Sequence, residues 1–329
     1  MNTESTQPKL SRFAKYAWFA LAFNVLVIIW GVFLRASKSG DGCGEHWLTC
    51  NGELIPSAPA FKTVIEYSHR MTTAIDGLIM LGLVIFAVVI WYRNRNGQSR
   101  RVMYAAIASL FFVITEAAVG AGLVLTGNTA VAVTDVRPFW AMGHLVNTFV
   151  LLVFLTLTAW FASRERNILR WPDTRTSLLI GLGFVLLLMV GMSGTLAALS
   201  NMLFPSTSIA DGIAKDFSAT SNVVLRLRLS HPILSVFTAV YLIFLAGWLK
   251  AKAEPGSNAA WWSSVLSLLL IGQIIWGAAT LLTFGPIVMQ LGHLFLADSV
   301  WISFIMLTAN FLAADPVSGR EAADAVGGS

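Results

Sequence analysis

Four of the five histidines have a spacing that suits binding of a metal cofactor. Each lies near the beginning of a long apolar segment, in every second segment along the chain. They are His69, His144, His231 and His293. An ionisable residue inside an apolar span is costly and usually functional. Facing helices of a bundle build cofactor sites from inward-pointing histidines, and imidazole is an axial ligand of haem iron. The alternative is that each ring only forms a hydrogen bond with a neighbouring helix.

Haem suits these histidines better than zinc does. A zinc site usually has three or four protein ligands, whereas each half of this chain supplies two histidines and no cysteine at their depth. The fifth histidine, His46, lies between Cys43 and Cys50 and is predicted to be a solvated loop residue.

The second half of the chain repeats the first. The motif Gly-His-Leu surrounds both His144 and His293, and Ser-His occurs at both His69 and His231. Each half has four apolar segments, with a histidine on its second and its fourth. Because four is an even number, the two halves have the same topology. The pattern predicts two four-helix bundles that are related by an axis along the membrane normal.

The elements that must position these residues are membrane-spanning helices. Of the 329 residues, 56% are hydrophobic and 12% are charged, whereas a soluble domain is about one quarter charged. Runs long enough to cross a bilayer recur, and helices satisfy their backbone groups within lipid. We predict an all-α integral membrane protein with eight spans. They are 16–36, 64–92, 102–126, 139–162, 176–200, 223–249, 259–284 and 288–312.

The basic residues predict the orientation. Thirteen Lys and Arg residues lie in the N-terminal tail and in the loops after spans 2, 4 and 6, against four in the other loops. Both termini are therefore predicted to be cytoplasmic, with the histidines near the outer face. The first apolar run is too long for a signal peptide. The net charge of +5 is spread over short loops, which does not indicate nucleic-acid binding.

These spans divide the chain into five parts. The predicted parts are a cytoplasmic tail at 1–15, an N-terminal bundle at 16–162, a cytoplasmic linker at 163–175, a C-terminal bundle at 176–312 and a second cytoplasmic tail at 313–329. Both tails are polar and are expected to be disordered.

Glu66 is the carboxylate with the clearest potential for chemistry. It lies three residues before His69 and therefore shares a helix face with it. It suits a proton donor or acceptor at a substrate, but its spacing equally allows a role in orienting a ligand or binding interfacial water.

Three further carboxylates lie within spans. Glu116 is deeper in the membrane and aligns with Gln273 of the second half. It is either a polar tie between helices or part of a proton path. The roles of Asp76 and Asp298 are equally open.

Arginines cluster at the predicted outer ends of spans 1, 2 and 6. Arginine recognises carboxylates such as the haem propionates, and the alternative is contact with lipid headgroups. Two of the four lie close to a histidine in the sequence, which favours the propionates. The cluster consists of Arg35, Arg70, Arg226 and Arg228.

The only two cysteines, Cys43 and Cys50, bracket six residues of the first outer loop. An oxidising compartment favours a disulfide, and a redox pair that exchanges electrons with a partner is the alternative. The corresponding loop of the second half, 201–222, has no cysteine.

Several of these stretches together resemble the haem A synthase family. The resemblance extends from span 1 to span 8. It is carried by the segments Gly31–Gly40, Trp47–Gly52 and Ile65–Arg70, by Cys43 and by the histidines at 144, 231 and 293.

The resemblance implies that a porphyrin methyl group of haem O is oxidised to a formyl group, giving haem A for terminal oxidase assembly. His231 and His293 would hold a resident haem b, aided by Arg228. The substrate haem O would be held by His69, His144, Arg35 and Arg70 beside Glu66, which would be catalytic. It further implies that the protein lies in a bacterial plasma membrane, that a haem O synthase supplies its substrate and that an electron donor reduces it. It does not decide whether the protein forms a homo-oligomer.

Three other functions fit parts of the same pattern. A cytochrome b-like carrier would bind two haems without changing either, and a haem transporter would pass haem along its histidines. A structural membrane subunit would bind none.

Overall fold

The computed structural model describes residues 11–164, 168–218 and 221–314, with the backbone alone at 168, 169 and 314. The described residues begin within the predicted N-terminal tail and end within the predicted C-terminal tail, and the gap at 165–167 lies in the predicted linker. Residues 1–10, 165–167, 219–220 and 315–329 lie outside the described residues, as does the expectation that the tails are disordered.

The chain is all-helical, and eight helical segments are long and apolar enough to cross a membrane, as predicted. The largest difference in a boundary is five residues, at the start of the third span, which begins at 97 instead of 102. The spans are α1 Arg12–Ala36, α2 Phe61–Asn94, α3 Gly97–Leu125, α4 Arg137–Ala162, α5 Thr174–Leu203, α7 with α8 over Val223–Lys252, α9 Asn258–Leu282 and α10 Ile287–Leu312.

Four spans begin with a polar cap at the same end of the molecule. The side chains of Ser11, Asn96, Asp173 and Ser257 each accept a hydrogen bond from a backbone N–H in the first turn of α1, α3, α5 and α9. Such caps satisfy donors that have no partner within the helix. Hydrogen bonds from Thr176 lower the pKa of Asp173 below its ordinary value.

The sixth span is broken at its beginning. It consists of α7, Val223–Leu227, followed by α8, Ser230–Lys252. Pro232 lies in the first turn of α8, where its missing N–H costs little. The preceding loop, predicted only as 201–222, contains a further helix, α6, at Ile209–Phe217.

A short antiparallel pair was not predicted from the sequence. Strand β1, Ile168–Leu169, pairs with strand β2, Ala313–Ala314. The N–H of Arg170 also donates to the carbonyl of Leu312 at 2.8 Å. The segment that joins the two halves is therefore attached to the end of α10.

Within each half, the four spans contact one another in a ring. In the first half, α1 contacts α2 and α4, and α3 contacts α2 and α4; in the second, α5 and α9 each contact α8 and α10. The centre of the molecule is formed by α4 and α10, in which 50% and 56% of the most apolar stretch is buried, against 11–33% in the other spans. A pseudo-symmetry between the halves stays a prediction.

Candidate functional site

The four histidines of interest lie at a similar depth. They follow the first residue of their span by six to eight residues, counted from Phe61, Arg137, Val223 and Ile287. At about 1.5 Å per residue, that places all four roughly 10 Å inside the same end of the bundle. Because the disulfide loop lies at this end, we call it the disulfide end.

His231 and His293 converge. Their ring centroids are 6.1 Å apart and their planes cross at 84°. A metal–imidazole bond is about 2 Å long, so two rings that bind one metal ion lie roughly 6 Å apart. His231 and His293 could therefore hold one metal ion between them. Nδ1 of His231 lies 3.2 Å from the hydroxyl of Ser193, which leaves its Nε2 for a metal.

Glycines on neighbouring helices make room for three of the four histidine rings. A Cβ at Gly194 of α5 would lie 2.8 Å from Cε1 of His231, and one at Gly277 of α9 would lie 2.8 Å from Cε1 of His293. In the first half, a Cβ at Gly31 of α1 would lie 3.0 Å from Cε1 of His69. A side chain at these positions would displace the imidazole. Sequence reasoning missed this role.

In the first half, His144 is paired with a carboxylate. Its Nδ1 lies 2.8 Å from Oε1 of Glu116 on α3. His69 lies within electrostatic range of His144, and its buried Nδ1 has no hydrogen-bond partner in the part of the chain that the structure describes. The pairing of His69 with His144 at one site stays a prediction.

Glu66 is buried, with 3% of its surface exposed, and both of its oxygens are engaged. Oε1 lies 2.5 Å from Nη2 of Arg70, and Oε2 accepts a hydrogen bond from the amide N–H of Cys43 at 2.9 Å. The carboxylate therefore connects helix α2 to the disulfide loop.

Cys43 and Cys50 form a disulfide and are both buried. The loop between them is held against α2 by Arg70, whose Nη1 donates to the carbonyls of His46, Trp47 and Thr49. The side chain of His46 is exposed, as expected. Arg70 is thus already engaged in holding this loop, and a contact with a propionate stays a prediction.

Arg228 has a similar position in the second half. Its Nε lies 2.5 Å from Oδ1 of the buried Asp216, and its Nη2 donates to the carbonyl of Gly212 at 3.0 Å. These contacts attach α6 to the beginning of α8, just before His231. On helix α6, the hydrogen bond and ion pair with Lys215 lower the pKa of Asp211.

Arg35 differs from these two arginines. Its guanidinium has no hydrogen bond or ion pair with any side chain or backbone group in the described ranges, and it lies within electrostatic range of Arg137 and His144. Arg137 donates to the carbonyls of Ala130 and Ala132 and orders the loop before α4. Arg226 interacts with its own loop, where it donates to Ser218. Arg35 is therefore the arginine of the predicted cluster that is available to an anion.

The two remaining carboxylates are buried away from the histidines. Asp76 accepts a hydrogen bond from Asn24 of α1 at 2.8 Å. Asp298 has no hydrogen-bond partner among the described residues and borders a cavity of about 350 Å³ between α1 and α10. A second apolar cavity, of about 390 Å³, lies between α3 and α4. It is lined by Val119, Val136, Phe139, Trp140, Gly143 and Asn147.

The chain is similar to known proteins over most of its length. A family model described as cytochrome oxidase assembly protein matches residues 14–305. A protoheme IX farnesyltransferase of Thermus thermophilus is 38% identical over 93% of this chain and 49% of its own length. A heme A synthase of Alkalihalophilus pseudofirmus is 22% identical over 86% of this chain and 92% of its own length. The heme A synthase of Halalkalibacterium halodurans is 35% identical over 32% of this chain and 34% of its own. The chain spans about half the length of the Thermus relative.

Proposed function

Because the chain belongs to the haem A synthase family of cytochrome oxidase assembly proteins, we propose that it oxidises haem O to haem A. The observation that supports this most directly is the contrast between its two histidine pairs. One pair lies beside a buried glutamate and a disulfide loop. The other lies beside a hydroxyl and two glycines.

The C-terminal pair is proposed to hold a resident haem b. His231 and His293 lie close enough to be the two protein ligands of one iron, and Gly194 and Gly277 leave space for their rings. When bound, this haem would accept and pass on electrons. Ser193 fixes the orientation of His231 through Nδ1.

The N-terminal pair, His69 and His144, is proposed to bind the substrate, haem O. Arg35 is the proposed partner of a propionate, because its guanidinium is unengaged and arginine forms two parallel hydrogen bonds with a carboxylate. The isoprenoid tail of haem O needs an apolar groove. We assign it to the 390 Å³ cavity between α3 and α4, which is lined by Gly143, the residue before His144 in the sequence.

Glu66 is the proposed proton-transfer group. Converting a methyl to a formyl group is a four-electron oxidation of the carbon through two hydroxylations, and the resulting diol loses water. Each hydroxylation by oxygen with two electrons from the donor takes up two protons and releases one water, and a carboxylate near the substrate can relay these protons. Arg70 and the Cys43 amide hold Glu66 in place three residues from His69.

We further propose that the disulfide end faces the outside of a bacterial plasma membrane, with both termini in the cytoplasm. The excess of Lys and Arg in the loops at the opposite end supports this orientation. A haem-farnesylating enzyme is the proposed source of haem O, and a separate electron donor is required. The farnesyltransferase name belongs to a relative about twice as long as this chain, and we assign the chain no farnesyl transfer.

The test is to supply haem O to the purified protein with a reductant and oxygen and to identify the porphyrins by chromatography. Wild type should produce the hydroxylated intermediate and haem A. Glu66→Gln should bind haem O but stall its oxidation. Glu45→Gln is the matched control. It changes an exposed carboxylate of the disulfide loop and should behave as wild type.

The same extraction separates the other functions. A cytochrome b-like carrier would return haem b and unchanged haem O. A transporter would bind haem O and yield no formyl product. Protein without a Soret band would indicate a structural subunit, and any of these results would overturn the proposal.

A further inference from the structure

We propose that Glu116 is a positioning residue that fixes His144 and strengthens it as an iron ligand. This rests on the proposed binding of haem O at His144. Glu116 lies in the interior of α3 and was left without a role by its sequence context. Its Oε1 is 2.8 Å from Nδ1 of His144, on the neighbouring helix α4.

The carboxylate itself is held from two sides. Nδ2 of Asn147 donates to Oε2 at 2.5 Å, and the hydroxyl of Thr148 donates to Oε1. Asn147 is in turn fixed by the hydroxyl of Thr115 at 2.7 Å and by the carbonyl of Phe112 at 2.9 Å. The amide oxygen of Asn147 accepts from Thr115 and its Nδ2 donates to Phe112, so Nδ2 is the atom that faces Glu116. Both oxygens of Glu116 therefore face donor groups of α4.

This arrangement determines which ring nitrogen is available to iron. We place the proton of this 2.8 Å contact on Nδ1, which leaves the lone pair of the ring on Nε2. A histidine ligand whose other nitrogen donates to a carboxylate is fixed in orientation and becomes more basic. Glu116 would therefore favour ferric over ferrous iron at this site.

The second half lacks this feature. The residue that aligns with Glu116 is Gln273, whose Nε2 lies 3.5 Å from Nε2 of His293. Nδ1 of His293 and Nδ1 of His144 both lack a hydrogen bond of regular geometry in the described ranges, but the neighbour of His144 is a carboxylate and that of His293 is a neutral amide. His231 is oriented by the neutral hydroxyl of Ser193. The two sites therefore differ in the group behind their proposed ligands, which would make an iron held by His144 the more electron-rich one.

The test measures haem binding and the midpoint potential, so it does not depend on turnover. Haem O is titrated into the detergent-purified chain, and the spectrum and midpoint potential of the added haem are recorded. Glu116→Gln keeps the shape but removes the charge. We expect the preference for ferric iron to fall roughly tenfold, which raises the midpoint potential by about 59 mV.

A second variant separates ligand contact from charge alone. Glu116→Asp keeps the negative charge but withdraws the oxygen from Nδ1, so it should also raise the potential and change the electron paramagnetic resonance signal of the ferric haem. In His144→Ala, adding Glu116→Gln should have no further effect. Gln273→Ala, the aligned position in the second half, should leave the added haem unchanged.

A wild-type potential and spectrum in both Glu116 variants would overturn the proposal. So would a shift in Glu116→Gln alone, because that result would indicate charge without ligand contact. If the protein binds haem O at His144 with these shifts but forms no haem A, the proposed function fails and the role of Glu116 stands.

Discussion

The amide N–H of Cys43 donates to Oε2 of Glu66 at 2.9 Å. A cysteine of the disulfide is therefore in direct contact with the carboxylate proposed to transfer protons. Arg70 reinforces the contact, because it bonds to Glu66 and to three carbonyls of the same loop. The disulfide closes a short loop whose backbone sets the position of Glu66.

Removing the disulfide should therefore slow oxidation without releasing haem. In the double variant Cys43→Ser/Cys50→Ser, we expect the rate of haem O oxidation to fall about tenfold, because a hydrogen bond to a charged group contributes about 1.5–3 kcal/mol. Initial rates of product formation, with haem content measured in parallel, check this. A wild-type rate in the variant would show that the loop holds Glu66 without its cross-link.

Arg35 should control substrate affinity. Arg35→Gln removes the guanidinium proposed to meet a propionate, and we expect the dissociation constant of haem O to rise about tenfold or more. Spectral titration measures it. Arg93→Gln changes an exposed arginine at the opposite end of the span α2 and serves as the control. Equal affinities of the two variants would remove Arg35 from the site.

Gly194 should be required for the resident haem. In Gly194→Ala, the new Cβ would lie 2.8 Å from Cε1 of His231, so the imidazole must move and the Soret absorbance should fall. Gly181→Ala is the matched control on the same helix, since a Cβ there meets no atom within 4 Å. A full Soret band in Gly194→Ala would contradict the assignment of His231 as a ligand.

The ion pair between Asp216 and Arg228 should stabilise the disulfide end of the second half. Asp216→Asn leaves a largely buried arginine without its counter-ion, at a cost of about 3 kcal/mol. Hydrogen exchange of α6 and of the first turn of α8 should increase. Asp211→Asn removes the half-buried ion pair with Lys215, while the new amide oxygen can still accept from Thr207, and it should change exchange less. Unchanged protection in Asp216→Asn would show that α6 is held by its other contacts.

Hydropathy and positional pattern predicted the eight spans, because lipid permits little except apolar helices of a fixed length. Helix α6 escaped prediction, since a nine-residue amphipathic helix resembles a polar loop in composition. The β1–β2 pair was missed because its partners, 168–169 and 313–314, are far apart in the sequence.

The sequence predicted which residues form the candidate site but not which groups each of them contacts. The histidine positions followed from the repeat. The engagement of Arg70 and Arg228 by their own loops depends on tertiary contacts, which spacing does not encode. The pairing of Glu116 with His144 required knowing which faces of α3 and α4 meet. Gly31 and Gly194 gave no signal beyond being glycines in apolar helices.

The contact between Trp301 and Phe149 has a mechanical consequence. Nε1 of Trp301 donates to the carbonyl of Phe149 at 2.8 Å, and the two rings stack with centroids 4.6 Å apart. Trp301 follows His293 on α10, and Phe149 follows His144 on α4. A shift of either helix along its axis must move the other or break this hydrogen bond and ring stack, so the contact couples the axial positions of α4 and α10, one helix from each half.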